Sequence, residues 1–150
     1  MNVSRFFGLA ALAFGLACPA RADSVLRADS ITANGLVVRR LTCRLEEGGS
    51  LAMLQVMATL ALQKSALDRC APSGGAFHVQ WQWTHGATHG VEVFDGIPKP
   101  KSTCVAASLK SAIPEQEGTC EAVLLVGKEA AATQAAARVI ARSPEKMPKK

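Results

Sequence analysis

Apolar and polar residues alternate without exception between positions 77 and 84. One set consists of Phe77, Val79, Trp81 and Trp83, and the other of His78, Gln80, Gln82 and Thr84. A period of two is typical of a strand with one buried and one solvated face. Apolar residues resume at positions 91–94 after two glycines, so the stretch 75–98 predicts a β-hairpin with its aromatic side chains toward a core.

The register of this hairpin follows from parity. Val91 and Val93 lie on the same face as Trp81 only if the connection contains an odd number of residues. We therefore predict a three-residue loop, His85–Ala87, with Trp81 opposite Val91. A two-residue turn would instead set Trp81 opposite Gly90.

The flanking patterns predict one strand and one helix on each side of the hairpin. In the first strand, Cys43 lies on the apolar face and Arg39 is the exception to that face. The first helix is apolar nearly all round its circumference. The predicted elements are a strand after Gly35, a helix over 51–70, the hairpin, a helix over 102–113 and a strand over 119–126.

The order β-α-β-β-α-β predicts an α+β fold of the ferredoxin-like type, a split β-α-β two-layer sandwich. Its antiparallel sheet has four strands in the spatial order 4-1-3-2, both helices lie on one face, and the second strand is an edge. This domain covers 35–127. Residues 23–34 have no clear period and are expected to form a loose arm. Residues 128–150 are expected to form an Ala-rich helix and a basic, disordered tail.

The predicted fold pairs four of the cysteines. Cys43, late in the first strand, approaches Cys120, early in the fourth, because these strands are antiparallel neighbours. Cys70, at the end of the first helix, approaches Cys104, at the start of the second. We therefore predict two disulfides, 43–120 and 70–104, each contributing about 2–4 kcal/mol to stability.

The first 22 residues have the features of a secretory signal peptide. Arg5 precedes an apolar run over 6–18 that is too short for a membrane span, and Ala20-Arg21-Ala22 matches the small-x-small cleavage pattern. Cleavage after Ala22 predicts a periplasmic or secreted protein, and no later stretch is predicted to span a membrane. The alternative is a lipoprotein modified at Cys18, against which Gly15 argues because a large aliphatic residue is expected there.

The positive charge is concentrated at the C-terminal end. The chain has 17 Lys and Arg against 12 Asp and Glu, a formal net charge of +5. Six of those basic residues and two of the acidic ones lie from Lys128 onward. The domain itself therefore lacks the broad basic face of a nucleic-acid binder.

Several short segments follow one another in a characteristic order. A helix that ends in Cys is followed by a glycine and an alternating strand, then by a glycine in the turn, a valine-containing strand, and a helix that begins with Cys-Val. The segments are Ala66-Leu-Asp-Arg-Cys70, Gly75-Ala-Phe-His-Val-Gln-Trp81, Gly86, Val91-Glu-Val93 and Thr103-Cys104-Val105. Over about 67–126 the chain thus resembles the TonB C-terminal-like domains common in myxobacterial envelope and gliding-motility proteins. The resemblance implies a periplasmic binding or coupling domain rather than an enzyme. The chain departs from a true energy transducer in lacking an uncleaved anchor and a Pro-rich spacer, and in adding the strand with Cys43.

Residues that could support catalysis or bind a metal are scattered. His85 and His89 have a spacing that zinc sites use, but His78 and His89 have opposite parity in the hairpin and His85 is expected in its loop. The four cysteines are assigned to disulfides, and no G-x-S-x-G nucleophile motif occurs. We therefore predict a non-enzymatic protein with no metal and no cofactor.

The outer sheet face is the candidate binding surface. Its candidate binding residues are Arg40, Arg44, His78, Gln80, Gln82 and Glu92, and it also carries Thr42 and Thr84. The second predicted strand, as an edge, could also pair with a partner strand. We expect the partner to be an envelope protein or a cell-wall component. The excess apolar surface of the first helix is a candidate dimer or partner seam, unless the C-terminal Ala-rich helix covers it. The alternatives are a merely solvated sheet face and a small secreted enzyme or enzyme inhibitor whose site the sequence does not reveal.

Overall fold

The structure, a computed structural model, describes residues 24–46, 50–94 and 99–142. The predicted signal peptide and cleavage site, Cys18 and the predicted tail after Arg142 lie outside these ranges. The strands are β1 (Ser24–Ala33), β2 (Leu36–Leu45), β3 (Gly75–Thr84), β4 (Ala87–Phe94) and β5 (Gly118–Val126). The helices are α1 (Ser50–Leu62), α2 (Lys64–Cys70), α3 (Lys99–Leu109) and α4 (Glu129–Arg142).

The five strands form one antiparallel sheet in the order β1-β2-β5-β3-β4. Helices α1, α2 and α3 bury their apolar residues against one face. Helix α4 packs on the other face, against β3 and β5. The α+β class and the antiparallel sheet are therefore as predicted, but the sheet has five strands and helices on both of its faces.

The predicted strand order 4-1-3-2 is not the observed one. Strand β5, the fourth predicted strand, lies between β2 and β3 and pairs with both. Its residues Ala122 to Val126 are all buried. Consecutive apolar residues are typical of a strand covered on both faces, and such a strand belongs in the middle of a sheet.

The segment expected to be a loose arm contains strand β1, which pairs along its length with β2. The two strands are joined by a turn in which Asn34 and Gly35 both have positive φ, 47° and 75°. Two positive φ values are what a type I′ hairpin turn requires, and Asn-Gly is the sequence that favours it.

A change of parity in β2 explains the anomaly at Arg39. The register of β2 against β5 shifts between Arg39 and Thr42, and Arg40 has a φ of 51°, as in a β-bulge. Leu36 and Val38 therefore face the core together with Cys43, although their positions differ in parity. The bulge therefore places Arg39 on the face opposite Cys43, and its predicted position on the same face as Cys43 is wrong.

The hairpin of β3 and β4 has the predicted pairs and a different connection. Trp81 is opposite Val91, as expected. The turn, however, has two residues, His85 and Gly86, which both have positive φ, 50° and 69°. A register shift between Gln82 and Trp83 supplies the odd residue that parity demands. The bulge, rather than a three-residue loop, therefore places Val91 on the same face as Trp81.

Both predicted disulfides are confirmed. Cys43 and Cys120 are direct cross-strand partners in β2 and β5, with their Cα atoms 4.1 Å apart. Cys70 ends α2 and is bonded to Cys104 in α3, with a Cα separation of 5.6 Å. The first pairing depends only on β2 and β5 being antiparallel neighbours, which holds in the observed order as in the predicted one.

The two tryptophans are the largest side chains of the main core. Trp81 and Trp83 are each 1% exposed, and their rings stack with centroids 5.9 Å apart. The indole N–H of Trp83 donates to the carbonyl of Gln116. The indole N–H of Trp81 is buried and has no acceptor among the described residues. The pair therefore contributes by apolar burial, and only Trp83 adds a hydrogen bond.

We expect Trp81→Ala to lower the free energy of unfolding by about 3–5 kcal/mol, since it leaves a cavity in the core. Gln82→Ala, on the exposed face of the same strand, should change it by less than about 0.5 kcal/mol. Trp83→Phe should cost about 1 kcal/mol more than Trp81→Phe, because only Trp83 loses a hydrogen bond. Urea denaturation measures all four variants. A larger effect at Gln82 than at Trp81 would show that the two faces of β3 are assigned backwards.

Candidate functional site

Helix α4 covers only one end of the sheet face on which it lies. Ala132 and Ala136 pack there against Ala76, Val123 and Leu125. Beyond this contact the same face presents polar side chains from all five strands, and we call this part the open face. It comprises Arg27, Thr42, Arg44, His78, Gln80, Gln82, Glu92, Thr119 and Glu121.

The cross-strand register arranges the open face in rows. One row runs across the whole sheet through directly opposed partners, Arg27, Thr42, Glu121, Gln80 and Glu92. The adjacent row contains Arg44, Thr119 and Gln82, and it ends at the exposed apolar Val25 on β1 and at Gly90 on β4. Opposed residues in antiparallel strands have Cβ atoms about 4.5–5.5 Å apart, so the polar side chains of the two rows form a continuous surface.

His78 is held in place between its neighbours on the open face. Its Nε2 lies 2.6 Å from Oε1 of Glu121, and its ring centroid lies 4.9 Å from that of Phe94. The His78 side chain is 14% exposed, whereas that of Glu121 is 53% exposed. Glu121, rather than the imidazole, is therefore the member of this pair that a partner would meet first.

Five of the six predicted binding residues lie on the open face, and Arg40 does not lie with them. Nη1 of Arg40 is 3.4 Å from the carbonyl oxygen of Ile140, in the last turn of α4. A cation near the C-terminus of a helix is stabilised by the helix dipole. Arg40 thus helps to hold α4 on the sheet, and this contact assigns it a structural role.

Three members of the open face, Arg27, Thr119 and Glu121, were not predicted from the sequence. Arg27 was missed because its segment was expected to be an arm rather than a strand. Thr119 and Glu121 were missed because only the apolar side of the last strand was considered. The alternation of β5 could have identified Glu121, because this polar residue lies between Cys120 and Ala122 and therefore points to the opposite face.

The prediction that the second predicted strand is an edge is wrong. That strand is β3, which pairs with β5 on one side and β4 on the other, so its backbone has no free ladder edge. The edge strands of the sheet are β1 and β4. Binding by strand addition at positions 78, 80 and 82 is therefore excluded.

The three histidines do not converge. His85 lies in the turn, where its backbone N–H donates to Oε1 of Glu117 at 2.8 Å. Nε2 of His89 is 3.2 Å from the carbonyl oxygen of Thr84. Within 24–46, 50–94 and 99–142, no three His, Cys, Asp or Glu side chains are grouped as metal ligands. No helix in those ranges is long and apolar enough to cross a membrane.

Comparison with family models, with curated proteins and with solved structures returned no match to this chain. The resemblance to TonB C-terminal-like domains therefore rests on the sequence segments alone.

Away from the open face, one carboxylate joins α2 to the residue that follows β5. Oδ1 of Asp68, in α2, accepts a hydrogen bond of 2.8 Å from the N–H of Gly127, and its other oxygen pairs with Lys64. Gly127 has a φ of 73°, and a Cβ there would lie 2.0 Å from the carbonyl oxygen of Ala71. The corner between α2, β5 and α4 thus leaves no room for a side chain at position 127. A shallow depression beside it is lined by Asp68, Arg69, Pro72, Gly127 and Lys128.

The environment of Asp68 favours its ionised form. Burial alone raises the pKa of this carboxyl, but the hydrogen bonds from Lys64 and Gly127, together with the charge of Lys64, outweigh it and lower the pKa. Because the pKa is lower in the folded state, the ionised carboxylate stabilises the fold at pH values above the unfolded-state pKa of about 3.9. That contribution is lost as the pH falls through the folded-state value. Asp68 is therefore a stabilising residue rather than a candidate acid or base.

We expect Asp68→Asn to destabilise the protein at pH 7 and to have a smaller effect at about pH 3, because the carboxyl is by then largely protonated in the unfolded state and part of the stabilisation from its charge is lost. The measurement is urea denaturation of both proteins at each pH. Glu92→Gln, which alters an exposed carboxylate in β4 away from any helix end, is the control and should have little effect at either pH. An Asp68→Asn effect of equal size at both pH values would contradict the assigned role of the charge.

Proposed function

We propose that this chain is a non-enzymatic, periplasmic or secreted module of the cell envelope that binds its partner through the open face. The observation that supports this proposal is the continuous polar surface that α4 leaves uncovered across five strands. Side chains that are not committed to a catalytic arrangement, on a rigid sheet, suit recognition better than chemistry. The expected partner is an envelope protein or a cell-wall component, as the resemblance to TonB C-terminal-like domains implies.

The chemistry of the surface favours a polar partner. Arg44 and Gln82 are exposed donors in one row, and Glu92 and Glu121 are exposed acceptors in the adjacent row. Mixed charges of this kind give specificity and orientation, and they do not attract a polyanion. A folded protein surface or a glycan with amide and hydroxyl groups matches this pattern.

The two disulfides support the proposed compartment. Disulfides persist in oxidising environments such as the periplasm and are rare in the cytosol. Cys43 and Cys120 crosslink the two strands that form the centre of the open face, where Thr42 opposes Glu121. A crosslinked surface loses less conformational freedom on binding, which favours affinity.

Strand addition remains a second mode of binding for this proposal, and it is restricted to the edges β1 and β4. Strand β1 has ten residues and keeps one register with β2 from Ser24 to Ala33, so its outer edge offers a long ladder. Strand β4 has eight residues, and its hairpin contains the register shift near Gln82. Bulges make an edge a poorer template, so β1 is the better candidate of the two.

The test is retention of envelope components by the immobilised protein. We expect the double variant Arg44→Ala, Gln82→Ala to bind the partner at least about tenfold more weakly, which corresponds to about 1.4 kcal/mol of binding free energy. The matched control is Arg138→Ala, Gln134→Ala, which removes the same two side-chain types from exposed positions of α4. The control should retain the partner fully.

Equal retention by both double variants would contradict binding through the open face. If proline substitutions at alternate positions of β1 then abolished retention while the melting temperature stayed unchanged, the binding mode would be strand addition at β1.

A further inference from the structure

Helix α1 has a second apolar side that the fold does not bury. Ala52, Val56 and Leu60 face the core. Leu51, Leu54 and Leu62 are 71%, 59% and 76% exposed, and Ala58 is also exposed. We call Leu51, Leu54, Ala58 and Leu62 the α1 stripe.

The α1 stripe is one continuous line along the helix. Its members follow one another at intervals of three, four and four residues, which places them within an arc of about 80° on the side away from the sheet. They extend over about 16 Å of helix. Among the described residues, four large apolar side chains are exposed; three of them are in this line, and the fourth, Val25, is on β1. Scattered apolar residues are ordinary on a surface, but a continuous line of leucines indicates an interface.

The absence of charge on α1 limits what can cover the stripe. From Ser50 to Gln63 the sequence contains no Asp, Glu, Lys or Arg. Helices that lie on membranes carry Lys and Arg on their polar side to hold anionic headgroups. The next cation along the chain, Lys64, is paired with Asp68. The stripe therefore lacks the cations that a membrane surface would select, and it also brings no like charges together if it meets itself.

The stripe can pack against a second copy of itself that runs in the opposite direction. If two copies of α1 pack antiparallel about the midpoint between Leu54 and Ala58, Leu51 lies within one residue, about 1.5 Å along the axis, of Leu62 of the partner subunit at each end. In the middle, Leu54 opposes Ala58 of the partner subunit, and the small side chain leaves room for the large one. Each layer thus pairs residues that fit, as in the alternating layers of antiparallel coiled coils. A two-fold interface requires this kind of self-complementary patch.

We propose that the α1 stripe is the contact of a weak, two-fold homodimer in which the two α1 helices pack antiparallel. The partner is a second copy of this chain. The stripe by itself is smaller than a standard interface of about 800 Å² per subunit, so the monomer and dimer exchange rather than forming a permanent assembly. This proposal does not depend on the proposed function, because it concerns the opposite side of the sheet from the open face.

The first measurement is sedimentation equilibrium of the purified protein without residues 1–22, a form that retains every described strand and helix. We expect a dimer whose population rises with protein concentration. Leu51→Lys and Leu62→Glu should each weaken dimerisation by at least about tenfold, since each would bury an unpaired charge. Both positions are exposed in the monomer, so the melting temperatures should stay close to that of the wild type. Val25→Lys, at an exposed apolar position outside the stripe, is the matched control and should leave the dimer unchanged.

Mixing the two charged variants tests the antiparallel arrangement. In a heterodimer of the Leu51→Lys and Leu62→Glu chains, the new cation opposes the new anion at one end, and the original leucines meet at the other. The mixture should therefore dimerise more strongly than either variant alone. Three results would overturn the proposal: a monomer at every concentration, a dimer that Val25→Lys disrupts and the stripe variants do not, or a mixture no more dimeric than its components. Binding of the monomer to phosphatidylglycerol vesicles that is lost in Leu62→Glu would instead assign the stripe to a membrane.

Discussion

Burial of β5 on both faces is the constraint on which the rest of the structure depends. Leu124 faces the core formed with α1, α2 and α3, and Leu125 faces α4. Because both sides of this strand are apolar, the sheet needs a helical layer on each side. Helix α4 forms the second layer, and the small side chains of Ala132 and Ala136 allow it to pack close to the strand. The uncovered remainder of that second face is the open face, so the candidate site is a consequence of how far α4 extends.

The sequence was informative wherever a single period governed a segment. Strict alternation in β3 predicted which side Trp81 occupies, and parity predicted its pairing with Val91. The disulfide of Cys43 with Cys120 was predictable because it requires only one neighbour relation between two strands. These are local or pairwise properties, and they do not depend on the complete order of the sheet.

The sequence was less informative where the period changes within an element. In β1 the core-facing residues Ala28 and Ile31 differ in parity, opposite the bulge in β2, so no alternation marks the strand. The turn Asn34-Gly35 was the stronger signal there, because its chemistry is specific for a hairpin. For β5 the continuous apolar run could have identified a central strand, whereas attention to alternate residues suggested a strand with one wet face. The wrong sheet order itself came from the element order β-α-β-β-α-β, which favours the ferredoxin-like arrangement but does not require it.

The limits at the candidate site have the same physical origin. Gln80, Gln82 and Glu92 were predicted because their strands have a clear parity. Arg40 was assigned to the surface because neither the bulge beneath it nor the docking of α4 is visible in a local pattern. Long-range packing decides which polar residues of a sheet face remain accessible. Arg40 has a structural role because the C-terminal end of α4 packs next to it.

The two proposed surfaces lie on opposite sides of the sheet, and this arrangement has a consequence for function. The open face is polar and shares its side with α4, whereas the α1 stripe is apolar and belongs to the layer on the other side. A dimer formed through α1 would therefore direct its two open faces away from each other. Two faces that point in opposite directions cannot engage neighbouring sites on one flat target, so dimerisation would add little avidity there. The same geometry suits a connector between two partner molecules, and its reversible contact would allow that connection to form and break with local concentration.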